Sequence, residues 1–329
     1  MQYRRFGKTD LQVSEIGFGA WAIGGPANIG NVAIGWGPTD DNVSRQAIRT
    51  ALDQGINFFD TADFYGLGHS EKLLGAELGG KKDIIIATKV GHRVSSQDQI
   101  YTDYSYQHIQ ASCEGSLKRL NRDYLDLYQL HTAKVSDLED GACVRAMKDL
   151  QKAGKIRYWG VSLNTFHPEP EAEHLLQNNL SEGLQVVINI LNQRALPIIK
   201  QAGNEGMGII ARMPLQFGLL TGKFDSTSTF PVGDHRSTRL PPELIQKANA
   251  ALEPIWGMAE KHHVAKTAFS LSYILSYPEV STVIPGMRTP GQVVQNVAGL
   301  LTLNKQEQRK IENLYQQMTS LRHALDEAG

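Results

Sequence analysis

Apolar residues in this chain fall into short, nearly continuous runs, separated by longer stretches in which they recur every three or four positions. The short runs cover 57–60, 83–88, 125–130, 156–161, 185–191, 207–212 and 280–284, with Ile16-Gly17-Phe18-Gly19 as a first, shorter member. Runs of this kind fit strands of a parallel sheet that is covered on both faces. The intervening stretches predict helices. One starts at the capping cluster Thr39-Asp40-Asp41 and stops at Gly55, and others span 70–78, 107–121, 138–153, 170–179, 195–203, 242–262, 266–276 and 290–299. In 107–121, Ile109, Cys113, Leu117 and Leu120 make one stripe, and Gly154 ends the helix at 138–153. Segments 2–6 and 11–16 alternate around Gly7-Lys8-Thr9-Asp10 and predict a β-hairpin. A last helix at 304–323 carries Ile311, Leu314, Met318 and Leu321. Eight strand–helix units are best accounted for by a closed (β/α)₈ TIM barrel, with an N-terminal hairpin and an extra C-terminal helix; an open doubly wound sheet is the alternative. No low-complexity linker interrupts the series, so residues 1–329 are expected to form one domain.

Composition narrows the setting. With 41% apolar and 20% charged residues, the chain has enough material for a real core. A net charge of -1 gives no electrostatic reason to expect nucleic acid or an anionic membrane as partner. Cys113 and Cys143 fall on predicted amphipathic helices, are expected to be buried and reduced, and show no metal-ligand spacing. The start, Met1 to Gly7, lacks the apolar centre of a signal peptide, and no run reaches membrane-spanning length, which makes the cytoplasm the expected compartment. No heptad or apolar surface patch speaks for a particular oligomer.

Candidate chemistry gathers at strand ends. Gly17-Phe18-Gly19 is no dinucleotide fingerprint, because the third glycine and the immediate helix are missing; the glycine-rich stretch through Pro38 reads as a loop. Asp60 closes the second strand and Tyr65 stands five residues on, in its exit loop. A phenol, with a pKa of ~10 in water, is a poor acid at neutral pH. A buried cation beside it lowers that value. Lys89 and His131 close the third and fourth strands. In a closed barrel all such ends open onto one face, so a carboxylate, an ammonium, an imidazole and a phenol meet there.

The segments Asp60 to Gly66, Ala87 to Gly91 and Leu127 to His131 resemble the aldo-keto reductases, as do Ser116-Leu117-Lys118-Arg119-Leu120 and Gly218-Leu219-Leu220-Thr221-Gly222-Lys223. The resemblance runs from about Tyr3 to Asn296, with the motifs in the family's order. It implies reduction of a small-molecule carbonyl compound. Tyr65 would be the general acid, Lys89 would lower its pKa, Asp60 would hold Lys89, and His131 would orient the carbonyl or share the proton. Barrels of this resemblance also serve as cofactor-sensing partners of ion channels, which is the alternative function. An isomerase or lyase without nicotinamide is a third reading.

Hydride chemistry needs a cofactor, and phosphates in barrels commonly sit at the loops after strands seven and eight. Here these read Pro214-Leu215-Gln216-Phe217-Gly218 to Gly222-Lys223, and Pro285-Gly286-Met287-Arg288-Thr289-Pro290. Their glycines let backbone approach phosphate, Lys223 adds charge, and Thr289-Pro290 opens a helix whose N–H groups are free for an anion. By resemblance Arg288 grips a 2′-phosphate, with Gln292 and Asn296 toward the adenine, which favours NADP over NAD. Ser162 and Gln185 match positions expected to bind the nicotinamide carboxamide. Asn164 stands one residue beyond its family position, and Arg212 replaces a tyrosine that many members stack on the ring. Trp21 fits the edge of the substrate pocket or of the cofactor.

Overall fold

In a computed structural model, which describes residues 1–30, 32–231 and 234–328, eight parallel strands form one sheet in chain order. They are β1 (Phe18–Gly19), β2 (Phe58–Asp60), β3 (Ile85–Val90), β4 (Leu125–His131), β5 (Ile156–Ser162), β6 (Gly183–Val187), β7 (Gly208–Arg212) and β8 (Val280–Ile284). Parallel bridges Ile16 to Val283 and Gly19 to Gly286 join the first and last strands, and the Gly17 N–H donates to the Val283 carbonyl at 2.8 Å. The sheet is therefore a closed barrel with helices between successive strands. The open doubly wound alternative is excluded.

The N-terminal hairpin, Tyr3–Arg5 paired with Gln12–Ser14, closes one end of it. Phe6, Leu11 and Val13 pack on the inward residues Phe58, Ile85, Leu127, Ile210 and Ile284. Phe6 is wholly buried against Gly183 and Gly208, where an added Cβ would lie 2.6 and 2.5 Å from the ring. Glycine at those two positions is what lets the plug seat. That end is filled largely by hydrocarbon, while Asp60, Lys89 and Gln129 lie toward the opposite, C-terminal end of the strands.

Local chemistry explains several element boundaries. Asp40 accepts from the N–H groups of Asn42 and Val43 and starts the helix Asp41–Asp53. Thr289 caps Pro290–Val297 through the Gln292 N–H. Three expectations need correction. The helix expected over 138–153 is two, Val135–Asp140 and Ala142–Lys152, because Gly141 takes a left-handed conformation (φ 75°) between them. The terminal helix breaks at Met318 into Lys305–Gln317 and Thr319–Glu327. β6 starts earlier and ends at Val187, since Asn189 pairs with Asn192 and turns the chain.

A second hairpin, His92–Val94 with Ile100–Thr102, follows β3 without having been expected. Cys113 and Cys143 are buried free thiols. Asn31 of the glycine-rich loop, Val232 and Gly233 of the loop after β7, and Gly329 lie outside the described residues. Among the described residues no helix is long and apolar enough to cross a membrane.

Candidate active site

Inward rows on adjacent strands build the floor of the open end. Ile85, Ala87 and Lys89 share one face of β3, and Leu127, Gln129 and His131 share one face of β4, with Gln129 in register beside Lys89. Lys89 is wholly buried. Its Nζ donates to Asp60 Oδ2 at 2.6 Å, to the Thr61 carbonyl at 2.8 Å and to the Tyr65 hydroxyl at 3.2 Å. An ammonium has three donors, and all three are used. Asp60 Oδ1 in turn accepts from Gln185 Nε2 at 2.7 Å and Gln129 Nε2 at 3.2 Å. A buried ion pair is tolerated when its remaining hydrogen-bonding capacity is met in this way. Burial acts to lower the Lys89 pKa, but the Asp60 carboxylate and the hydrogen bonds to Asp60 and Tyr65 outweigh it and leave the value raised, so Lys89 is a cation.

His131 differs in charge. Burial first, then His92, Lys89 and Arg212, push its pKa well below the usual imidazole range, so the ring is neutral. Its centroid lies 6.0 Å from that of Tyr65 and 4.4 Å from that of His92, edge to face in both cases. The Tyr104 hydroxyl donates to the His131 carbonyl at 2.6 Å and holds the strand end.

Above this floor lies a cleft of about 630 Å³. Asp60, Tyr65, His131, Gln185 and Arg212 line its base, and Trp21, Phe64, Phe166 and Leu191 its walls. The Trp21 ring stacks 6.0 Å from Tyr65. Pro214, Leu215, Gly218, Lys223, Gly286, Arg288, Gln292 and Asn296 line the far end. Ser162, Asn164, Leu219 and Gly222 do not line the cleft. Ser162 lies behind Gln185, 3.5 Å from its Oε1. Asn164 Oδ1 accepts from the N–H groups of Phe166 and His167 and is spent on a local turn. Leu219 is buried in the 3-10 helix Gln216–Thr221, and Gly222 ends it. Arg212 donates to the Leu163 carbonyl at 3.0 Å and to Thr165 Oγ1 at 3.1 Å, which fixes it at the edge of the base.

The far end is basic and tightly built. Arg288 Nη1 donates to the Trp36 carbonyl at 3.2 Å, tying two loops together, and Lys223 Nζ donates to Gln295 Oε1 at 3.1 Å, tying its loop to the helix Pro290–Val297. Met213, Gln216 and Phe217 have positive φ (52°, 43° and 56°) within five residues. Non-glycine residues in that region cost of order 1–3 kcal/mol each and persist where surroundings hold them. Asn189 supplies part of that hold, donating to the Met213 carbonyl and to Gln216 Oε1, each at 2.9 Å.

Gln129 and Asn189 were missed by sequence reasoning. Gln129 has the same parity as His131 in an apolar strand, a signal that counting by twos recovers. Asn189 carries no such signal, since it acts beyond the end of β6. Trp36 and His235 also line the cleft, with ring centroids 4.5 Å apart, joined by contacts between loops far apart in sequence. No cluster of potential metal ligands occurs among the described residues.

Residues 15–316 match the family model described as the aldo/keto reductase family. The fold is similar to the glycerol dehydrogenase AKR11B4 from Gluconobacter oxydans, with a TM-score of 0.80, 30% identity and 96% of each chain covered. An NADH-specific methylglyoxal reductase of Escherichia coli is 28% identical over 89% of this chain and 92% of its own. A probable voltage-gated potassium channel subunit beta of Arabidopsis thaliana is 29% identical over 90% of both. Matched over nearly its whole length in sequence and in fold, the chain belongs to the aldo/keto reductase family.

Proposed function

We propose that this protein reduces aldehydes or ketones to alcohols with NADPH, and that Tyr65 is the general acid. The observation that carries the reading is the fully engaged Lys89 ammonium, held by Asp60 and donating to a phenol that faces an aromatic cleft. The residues at the far end suit a dinucleotide: two cations, a helix N-terminus and a contorted loop bring donors to one strip of surface. Lys223 and the Pro290–Val297 N-terminus would hold phosphate, Arg288 the 2′-phosphate, and Gln185 the carboxamide. Bound nicotinamide supplies the hydride.

The chain's own residues do the rest. Tyr65 gives its proton to the carbonyl oxygen, and Lys89 stabilises the phenolate left behind, as a positive neighbour does. Asp60 keeps Lys89 in place, with Gln129 and Gln185 keeping Asp60 in place. Neutral His131 orients the carbonyl by hydrogen bonding. Trp21, Phe64 and Phe166 shape the compartment for the substrate's remaining atoms. The relatives named for glycerol and methylglyoxal make small oxygenated three-carbon carbonyls the first substrates to try.

The test mixes the protein with NADPH and methylglyoxal, glyceraldehyde or dihydroxyacetone and follows cofactor absorbance, with NADH in parallel. Substrate-dependent consumption of NADPH is expected. Tight NADPH binding without consumption across a broad carbonyl panel would favour a cofactor-sensing subunit, the reading that the channel-subunit relative supports. Failure to bind either nucleotide would overturn both.

A further inference from the structure

The loop that carries Tyr65 also carries a carboxyl group that the proposed chemistry leaves unused. Asp63 lies between Asp60 and Tyr65, and its N–H donates to the Lys89 carbonyl at 3.2 Å. Its Oδ1 is shielded from solvent and has no hydrogen-bond partner among the described residues. Four other elements face it. Glu71, from the helix His69–Leu78, is wholly buried and already satisfied, accepting from Thr88 Oγ1 and from Arg119 Nε, each at 2.6 Å. Arg119 comes from the helix Tyr106–Leu120, Lys89 from β3 and Tyr128 from β4, whose buried hydroxyl is likewise unpartnered. His92 and Arg93 line the same shallow surface pocket as Asp63.

Charge does not balance for two ionised carboxyls here. Arg119 is engaged by Glu71, and every donor of Lys89 is engaged by Asp60, Thr61 and Tyr65. Asp63 is half-buried, but its Oδ1 is shut off from water without a partner, and that favours the protonated form. We propose that Asp63 is a positioning residue whose carboxyl must stay protonated for the Tyr65 loop to keep its place, so that losing this proton disables the site. The inference rests on the reading of Tyr65 as the acid. Burial first, and then Glu71, push the Asp63 pKa up to about 8 against the opposing pull of Arg119, so the group is neutral at pH 7 and ionises in the alkaline range.

Two measurements test it. The first follows alcohol oxidation with NADP against pH. Tyr65 must then accept a proton from the alcohol, and the wild-type rate should fall above about pH 8. Asp63→Asn, neutral at every pH, should match it near neutrality and lose the fall, an advantage of about tenfold one pH unit above the midpoint. The second is an infrared titration of the wild-type protein, which needs no variant to fold. It should show a protonated carboxyl band at pH 7 that vanishes above about pH 8. An unchanged alkaline fall in Asp63→Asn overturns the proposal, as does a loss of rate that is uniform across pH, or a missing band at pH 7. A wild type inactive in both directions would sink the reductase reading, and the infrared result would still decide the state of Asp63.

Discussion

Lys89 and Asp60 form one buried unit, yet their removal should not be equivalent. Lys89→Met takes the cation from the Tyr65 hydroxyl and leaves a buried carboxylate with only amide donors. Asp60→Asn leaves the cation in place, still bonded to the Thr61 carbonyl and the Tyr65 hydroxyl. Breaking a buried pair typically costs 3–5 kcal/mol of stability, so rates must be compared where both variants are folded. There, Lys89→Met should abolish turnover and Asp60→Asn weaken it less; the reverse order contradicts the assignment. At the far end, a charge-assisted bond of ~1.5–3 kcal/mol is at stake in Arg288→Ala. NADPH should bind about ten- to a hundred-and-fifty-fold more weakly relative to NADH. Since Arg288 also holds the Trp36 carbonyl, any shared loss for both cofactors reports that bond, and only the ratio reports the phosphate. An unchanged ratio, measured by fluorescence titration, would leave the preference for NADP without support. Residues at strand ends were legible because Asp60, Tyr65, Lys89 and His131 stand next to apolar runs in a fixed order. Gln129, which helps to hold Asp60, was not, because an amide inside a strand reads as an outward polar position unless its parity is counted.

Helix packing positions Glu71 and Arg119 beside this arrangement and supplies a sharper stability test. Gly75, in the helix His69–Leu78, sits against the Arg119 carbonyl so closely that an added Cβ would collide with backbone. That closeness brings Glu71 within reach of Arg119. Alanine is favoured over glycine in a helix by roughly 0.5–1 kcal/mol, whereas overpacking typically costs 1–3 kcal/mol, and here it is backbone that has to move. Gly75→Ala should therefore lower the denaturant midpoint; a raised midpoint would show the two helices to be further apart. Helices and strands were legible where a capping residue or an apolar run marked them, as at Asp40 and Val280–Ile284. Breaks inside periodic stretches were not. Gly141 and Met318 interrupt helices whose apolar spacing continues across the break, and the hairpin His92–Val94 with Ile100–Thr102 is too polar to announce itself.

Over the whole molecule, eight strand–helix units were countable from the chain, while closure of the barrel depends on bridges between Ile16 and Val283 and between Gly19 and Gly286. No periodicity encodes such contacts. Closure matters because it turns every strand end toward one cleft, with Phe6 filling the other end. One hydroxyl is then decisive: Tyr65 faces the cleft, and Lys89 donates to it at 3.2 Å. Tyr65→Phe removes that oxygen and leaves the far end of the cleft untouched. General acid catalysis is typically worth ~10²–10⁴-fold. The most direct test titrates wild type and Tyr65→Phe with NADPH by fluorescence and then follows a single turnover with a carbonyl that the wild type reduces. The account predicts equal NADPH affinity and a single-turnover rate lower by about a hundredfold or more. A variant that binds NADPH and reduces the carbonyl at the wild-type rate would contradict it.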